Sequence, residues 1–186
     1  MEFEKIVKLY ILAIGDNPER EGLKDTPKRV VKMLQEMFQG YFKYTKPKIT
    51  VFNNGEDGIW YNQMIIDTGY FYSYCEHHMI PFFGHYYFAY IPNKKILGLS
   101  KVARIVDWYS SKLQIQERLT KEVVDEFDKL LKPKGIIFIL KARHLCKEMR
   151  GVRKVNGEMI TSEVRGVFKK EINARQEFLS LINKND

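Results

Sequence analysis

Cysteine and long apolar runs are scarce in this chain of 186 residues, and each shortage excludes a class of protein. Its two cysteines, Cys75 and Cys146, are too few for the disulfide framework of a small secreted domain. Apolar runs such as Ile136–Leu140 fall far short of the roughly 20 residues that a membrane-spanning helix needs. The N-terminus lacks the basic start and apolar stretch of a signal peptide. We therefore expect a cytoplasmic protein with no membrane partner.

The composition is that of a folded domain with a basic surface. Hydrophobic residues make up 45% of the chain and aromatic residues 13%, which is enough for one core, and the length favours one domain. The chain contains no low-complexity tract or internal repeat. The formal net charge of +8 favours an anionic partner, which could be nucleic acid, anionic lipid or a phosphorylated metabolite.

Residues 1–47 carry two helical patterns and are interpreted as an N-terminal helical region. Over residues 3–14, apolar residues recur at helical spacing and share one face. That face consists of Phe3, Ile6, Val7, Tyr10 and Ile14. A second helix is predicted from Thr26, as N-cap, through Pro27 to about residue 40. Because the chain begins almost directly with the first helix, we do not expect a long regulatory extension.

Residues 48–186 mix strand and helix patterns and are interpreted as one unit. In chain order, the predicted elements are strands over 63–74 and 82–91, helices over 101–113 and 118–131, strands over 135–142 and 160–168, and a helix over 173–182. Asn93 and Lys94 are predicted to form the tip of a hairpin. Strands and helices that segregate in this way favour an α+β fold with an antiparallel sheet.

Cysteine and histidine form two clusters, each of which follows a predicted strand. Cys75, His77 and His78 make up the first, and His144 and Cys146 the second. Sulfur and imidazole together select zinc rather than magnesium or calcium. Cys75, His78 and Cys146 provide three ligands, which leaves a coordination position for water as in catalytic sites. His77 and His144 would then be available for proton transfer or for support of the ligands.

Other interpretations of these residues stay open at this point. The cysteines could simply be buried, with unrelated histidines nearby. A Cys75–Cys146 disulfide is a second alternative, which the lack of secretory signals disfavours. His85 lies within a predicted strand among aromatic residues, and we interpret it as structural.

Two further segments carry charge at predicted helix starts. Lys101 and Arg104 lie in a first helical turn, where free N–H groups already favour an anion. Together with Arg150, these two residues resemble a phosphate-binding site, although a basic surface exposed to solvent would show the same pattern. Glu117 also lies at a helix start, where it could be only a cap. Alternatively, its carboxylate could accept two parallel hydrogen bonds from N1–H and the 2-amino group of a guanine.

Taken together, the segments resemble the GTP cyclohydrolase I family over nearly the whole chain. The matching segments are Arg20-Glu21-Gly22-Leu23 with Thr26-Pro27-Lys28-Arg29-Val30, Cys75-Glu76-His77-His78 with Pro81-Phe82 and Gly84, Gly98-Leu99-Ser100-Lys101 with Arg104-Ile105-Val106, Gln114 with Gln116-Glu117-Arg118-Leu119-Thr120, His144 and Cys146 with Met149-Arg150-Gly151-Val152, and Thr161-Ser162 with Gly166-Val167-Phe168 and Glu177-Phe178-Leu179. Each match alone is modest evidence, whereas all of them in the family's order are specific. Lys147, Glu148 and Glu163 are more charged than the family pattern, but they replace no proposed ligand.

The resemblance implies a zinc-dependent enzyme that acts on GTP. Water activated by zinc on Cys75, His78 and Cys146 would attack C8, while His77 helps by protonating the imidazole ring. A second hydrolysis would release formate, with His144 implied in the proton transfers. The ribose would then undergo an Amadori rearrangement and close onto the amines, which gives 7,8-dihydroneopterin triphosphate, a first step of folate or pterin biosynthesis.

The resemblance also implies which residues bind the substrate and how the chains assemble. The implied binding residues are Gln116 and Glu117 for guanine, Ser100 near the ring, and Lys101, Arg104 and Arg150 for the triphosphate, with Lys32 a weaker candidate. Similar proteins have the tunnelling fold, whose antiparallel sheets close into a barrel only across subunits. The expected assembly is a homodecamer of two pentameric rings with its sites between subunits, and nucleic acid is not an expected partner.

Two alternative functions are open to test. A basic nucleic-acid-binding module with structural zinc predicts a fourth protein ligand and a salt-dependent affinity. Another purine-directed tunnelling-fold enzyme, such as a nitrile reductase, would need a nucleophilic cysteine and a nicotinamide cofactor. Zinc would occupy both cysteines of this chain, which disfavours the second alternative.

Overall fold

Helices fill the N-terminal part of the computed structural model, which describes residues 2–183. Helix α1 spans Glu2–Ala13 and α2 spans Thr26–Met37, followed by short 3-10 turns at Gln39–Tyr41 and Lys43–Thr45. The N-cap of α2 is Asp25, one residue before the predicted Thr26, and Pro27 lies in the first turn as expected. None of the helices within the described residues combines the length and apolar character needed to span a bilayer.

The apolar face predicted for the first helix is mostly exposed. Only Val7 and Ile11 of α1 are buried. The exposed members of the predicted face are Phe3, Ile6, Tyr10 and Ile14. An amphipathic pattern predicts that a segment is helical, but it does not identify the surface against which the apolar face packs. Within one chain, α1 packs mainly on α2.

A five-stranded sheet forms the centre of the fold, in agreement with the predicted α+β class. The remaining elements are β1 Val51–Asn53, β2 Ile65–Cys75, β3 Pro81–Ile91, β4 Lys95–Leu97, α3 Lys101–Ser110, β5 Leu113–Gln114, α4 Gln116–Leu131, β6 Gly135–His144, α5 Leu145–Glu148, β7 Glu158–Gly166, α6 Val167–Lys170 and α7 Ile172–Ile182. The strand order is β5-β2-β3-β6-β7, and all pairs are antiparallel except the short parallel pair of β5 with β2.

The hairpin predicted at Asn93 and Lys94 is absent from the structure. Strand β4 turns away from β3 and pairs instead with β1, with Val51 opposite Leu97. The side-chain amide of Asn54 donates to the Asn93 carbonyl at 2.7 Å, which joins the two strands at one end of this small sheet. Local turn propensity thus predicted the bend correctly but not the partner of the strand that follows it.

Apolar cores lie on both faces of the five-stranded sheet. Because successive side chains of a strand point to opposite faces, Tyr86 and Phe88 of β3 enter one core and Tyr87 and Ala89 the other. Helices α3 and α4 cover the first core, and α6 and α7 cover the second. At Gly84, a Cβ atom would lie 2.0 Å from the Lys141 carbonyl oxygen, so only glycine permits this approach of β3 to β6.

Candidate metal and substrate site

The structure brings together the three predicted metal ligands. One ligand atom from each of Cys75, His78 and Cys146 lies within 4.8 Å of the other two. Cys75 is buried, Cys146 is half-buried and His78 is exposed, so the group opens to the surface on one side. Within residues 2–183, this group contains no fourth cysteine, histidine or carboxylate ligand.

A tight turn between β2 and β3 positions the first two ligands. The carbonyl of Cys75 accepts hydrogen bonds from the backbone N–H groups of His78 at 3.3 Å and Met79 at 2.7 Å. Met79 closes the turn with a left-handed φ of 56°. As a result, Nδ1 of His78 lies 3.9 Å from Sγ of Cys75.

Strand pairing brings the third ligand to this turn. Strand β6 pairs with β3, which sets His144 opposite Phe82, and helix α5 follows at once with Cys146. Arg143 donates to both carboxylate oxygens of Glu148, at 3.0 and 2.6 Å, and so ties α5 to the end of β6. The Glu148 side chain is only 5% exposed and that of Arg143 is 41% exposed, so the carboxylate is the buried member of this ion pair.

The donor set suits a zinc ion. Two sulfur atoms and one imidazole nitrogen match the ligand types of zinc sites, and three protein ligands match a site with an open position. Both cysteines are free thiols, which rules out the disulfide alternative. Burial raises the pKa of the Cys146 thiol, and the neighbouring Cys75 thiol adds to the effect. A bound cation would reverse this and favour the thiolates.

Both remaining histidines of the clusters lie close to the ligands. His77 is exposed, and its Nδ1 lies 3.6 Å from Sγ of Cys75. His144 is half-buried and stacks on Phe82, with ring centroids 4.5 Å apart and an interplanar angle of 3°. Burial lowers the pKa of His144, and the charge of Glu117 partly opposes this shift. His85, in contrast, is exposed on β3 and contacts aromatic rings, outside the metal group.

The resemblance implies that Gln116 contacts guanine, but in the structure its side chain is buried and contacts other residues of the chain. It is 1% exposed, and its Oε1 lies 2.9 Å from Nε2 of His144. Its Nε2 donates to the carbonyls of Leu140 and Met159 and to the hydroxyl of Thr161, at 3.0–3.1 Å. The amide is therefore committed to partners inside the chain.

The next two residues of α4 link the candidate guanine segment to the metal turn. The helix begins at Gln116, two residues earlier than predicted, so Glu117 lies in its first turn and is exposed. Within the part of the chain that the structure describes, the Glu117 carboxylate makes no hydrogen bond or ion pair. Arg118 donates through both terminal nitrogens to Oε2 of Glu76 at 2.7 Å, which ties the start of α4 to the turn.

The predicted phosphate-binding residues lie at the surface on other elements. Ser100 is the N-cap residue of α3 as predicted, but its side chain makes no capping hydrogen bond. Lys101 and Arg104 follow in the first turn of α3, Arg150 comes after α5, and Lys32 is exposed on α2. Among residues 2–183, no side-chain hydrogen bond or ion pair joins any of these cations to the metal group.

Several contributors to the site were not assigned a role by sequence reasoning. Phe82 stacks on His144, and the ion pair of Arg143 with Glu148 lies next to Cys146. The ion pair of Glu76 with Arg118 lies at the metal turn, and the hydroxyls of Thr120 and Thr161 lie next to Gln116. Only Thr120 carried a usable signal, since it lies four residues after Gln116 on one helix face.

Comparison with known proteins matches almost the entire chain to one family. The family model described as GTP cyclohydrolase I matches residues 3–183. The GTP cyclohydrolase 1 of a Sulfurihydrogenibium species is 43% identical over 184 residues, covering 99% of this chain and 95% of that protein. The GTP cyclohydrolase 1 of Coxiella burnetii is 45% identical over 180 residues, covering 96% of each. The protein of the same name from Helicobacter pylori is 40% identical over 179 residues, covering 96% and 98%.

Proposed function

This chain belongs to the GTP cyclohydrolase I family and is an enzyme of that type, and from this premise we propose which reaction steps its residues carry out. The proposed reaction is hydrolysis of GTP at C8 with release of formate, followed by rearrangement and closure to 7,8-dihydroneopterin triphosphate. The observation that carries the proposal is the grouping of Cys75, His78 and Cys146 beside two further histidines.

Zinc is the proposed metal, and Cys75, His78 and Cys146 are its proposed ligands. When bound at three protein ligands, zinc supplies a water whose pKa falls to about 7, which is the nucleophile that hydrolysis at neutral pH needs. The nucleic-acid-binding alternative predicted a fourth protein ligand, and the group within residues 2–183 has three. The catalytic interpretation is therefore the one that the ligand count supports.

His77 and His144 are the proposed proton carriers of the reaction. His77 is exposed beside Cys75, where its imidazole could deliver a proton to the ring nitrogen of a bound purine. Stacking on Phe82 and the hydrogen bond to Gln116 hold His144 in one orientation. Burial also lowers the pKa of His144 and so favours its neutral form, which accepts a proton before it returns one.

Glu117 is the proposed guanine-binding residue, and Ser100 is proposed to contact the substrate near the ring. The exposed Glu117 carboxylate has both oxygens available for N1–H and the 2-amino group. The Ser100 hydroxyl is not consumed by a helix cap. We assign Gln116 to the support of His144 rather than to guanine, because its amide is buried and engaged.

Lys101, Arg104 and Arg150 are the proposed triphosphate-binding residues, with Lys32 a weaker candidate. The first turn of α3 combines two cations with the free N–H groups of a helix start. The net charge of +8 agrees with an anionic substrate. Binding energy from the remote triphosphate can hold C8 in a reactive position.

A homodecamer with sites between subunits is the proposed assembly. The outer edge of β2 is paired over only two residues, by β5, and β7 has no outer neighbour within residues 2–183. Large apolar side chains are exposed on α1 and on the sheet. Open strand edges and apolar surfaces are normally covered in folded proteins, and a second copy would cover both. The cytoplasmic location stays a prediction.

Formate release from GTP by the zinc-loaded protein tests the proposed reaction. We expect formate together with a pterin that fluoresces after oxidation, and loss of both in Cys146→Ser along with the bound zinc. His85→Asn is the matched control and should retain zinc and activity, because His85 lies outside the metal group. Formate without a pterin would contradict the ring closure, and full activity without zinc would contradict the metal assignment.

A further inference from the structure

Two contacts connect the metal turn to the segment that begins α4. The backbone N–H of Glu76 donates to the carbonyl of Gln114 at 3.0 Å, next to the short parallel pairing of β5 with β2. The side chain of Glu76 makes the second contact, since both terminal nitrogens of Arg118 donate to its Oε2 at 2.7 Å. Glu76 directly follows the candidate ligand Cys75, so both contacts lie beside the metal group.

Glu117 lies between two residues whose side chains are anchored. On one side, the buried amide of Gln116 donates to backbone carbonyls of β6 and β7. On the other side, Arg118 holds the carboxylate of Glu76. The exposed Glu117 carboxylate is therefore carried by a helix start that is attached both to the sheet and to the metal turn.

The shape of guanine makes this attachment relevant to the proposed reaction. The purine is a rigid planar ring system, and its N1–H and 2-amino group lie at the opposite end from C8. If Glu117 holds that edge, the ring itself fixes how far C8 lies from the carboxylate. C8 then reaches the metal group only when the spacing between α4 and the metal turn is also fixed, and an error of about 1 Å in such a position can lower a rate about 100-fold.

The exposure of the ion pair argues against a mainly stabilising role. The side chain of Arg118 is 41% exposed and that of Glu76 is 33% exposed. Ion pairs this open to solvent contribute little to folding stability. Two short, charge-assisted hydrogen bonds from a planar guanidinium do, however, restrict the relative orientation of the two elements that they join.

We propose that Glu76 and Arg118 are positioning residues whose ion pair sets the spacing between the guanine-binding carboxylate of Glu117 and the metal turn. Both act through the elements that they join and not on the reacting atoms. The proposal rests on the guanine-binding role proposed for Glu117, and it adds the contact that aligns the bound base with the metal group.

Glu76→Gln and Arg118→Gln test the pair, because each removes one of the two charges. We expect kcat for GTP to fall roughly 10- to 100-fold. KM and the preference for GTP over inosine triphosphate should change little, because Glu117 is intact. Arg118→Lys restores the charge with a single ammonium group and should recover part of the activity. Lys121→Gln, which breaks an exposed ion pair with Asp125 on the same helix, is the matched control and should keep its kcat.

The double variant Glu76→Gln/Arg118→Gln distinguishes one joint role from two independent ones. If the two residues act through their ion pair, the double variant should lose no more kcat than either single variant. Losses that multiply in the double variant would overturn the proposal, and so would an unchanged kcat in both single variants.

Zinc affinity and thermal unfolding provide readouts that are independent of turnover. Competition with a chelator should give the same zinc affinity in the single variants as in the unmodified protein, and Tm should change little. Zinc loss or unfolding in proportion to the lost activity would overturn the proposal, as would a lost preference for GTP over inosine triphosphate. Failure of the proposed guanine site would appear separately, as an unchanged base preference in Glu117→Ala.

Discussion

Two neighbouring residues at the start of α4 lie in opposite environments. Gln116 is 1% exposed and bonded to His144, whereas Glu117 is exposed and makes no hydrogen bond or ion pair within residues 2–183. Successive residues of a helix point about 100° apart, so one residue can reach inward while the next faces solvent. At the residue scale, this difference agrees with the two proposed roles, which are support of His144 by Gln116 and recognition of guanine by Glu117.

Glu117→Ala should weaken recognition of guanine. The loss of two charge-assisted hydrogen bonds should raise KM for GTP by roughly 10- to 100-fold. The unmodified enzyme should also prefer GTP to inosine triphosphate, which lacks the 2-amino group, and the variant should lose that preference. Steady-state kinetics with both nucleotides measure this, with Glu36→Ala on α2 as control. If the variant still prefers GTP to inosine triphosphate, Glu117 does not bind guanine and only stabilises the start of the helix.

Arg150→Ala should weaken binding of the triphosphate and not of the nucleoside. We expect KM for GTP to rise about tenfold, since a cation–phosphate contact is lost, while inhibition by guanosine changes little. Lys170→Ala, which removes an exposed cation on α6, serves as control. If binding of GTP and of guanosine weakens equally, Arg150 does not bind the triphosphate.

At the scale of elements, the metal group depends on the pairing of β3 with β6. That pairing sets the end of β6 beside the turn after β2, and helix α5 then supplies Cys146. The sequence separation between Cys75 and Cys146 gives no information on this proximity. The ion pair of Arg143 with Glu148 holds α5 in place.

Glu148→Gln should weaken zinc binding without removing a ligand. The amide keeps the shape of the carboxylate but loses the ion pair that orients α5, and partners behind metal ligands typically contribute about 10- to 100-fold in affinity. Competition with a chelator measures the loss. Glu19→Gln is the matched control, because it breaks an exposed ion pair with Lys8 in the N-terminal helical region. Equal zinc affinity in both variants would contradict this role.

At the scale of the whole molecule, a single chain leaves apolar surface uncovered. Phe3, Val31, Phe38 and Met79 line an apolar cavity of about 480 Å³ that joins α1 and α2 to the metal turn. The exposed side of α1 continues this surface. Such surfaces on a folded protein indicate contact with another molecule, and the proposed assembly would cover them with further copies of this chain.

Dilution should therefore abolish activity in parallel with assembly. Mass photometry should show particles of about ten chains at assay concentration, and activity per chain should fall as the particles dissociate, because the proposed sites lie between subunits. Zinc content is measured at every step to exclude metal loss as the cause. A monomer that keeps full activity per chain would contradict an intersubunit site.

The amino-acid sequence by itself determined the kinds of element and which residues are the candidate metal ligands. Hydrophobic periodicity predicted most helices and strands to within a few residues, since it records which side of each element is buried. The ligand types and their number at Cys75, His78 and Cys146 indicated zinc, because that preference is a property of the side chains alone. The family motifs indicated the activity, because each motif is a short run of residues that can be identified without the structure.

Only the tertiary structure decided which partners these side chains meet. The pairing of β4 with β1 and the exposure of α1 both depend on contacts between distant segments. The same holds for Gln116, whose sequence motif resembled a base contact but whose amide lies buried against His144 and Thr161. Hydrogen-bond partners separated by tens of residues are determined by packing, and no local pattern records them.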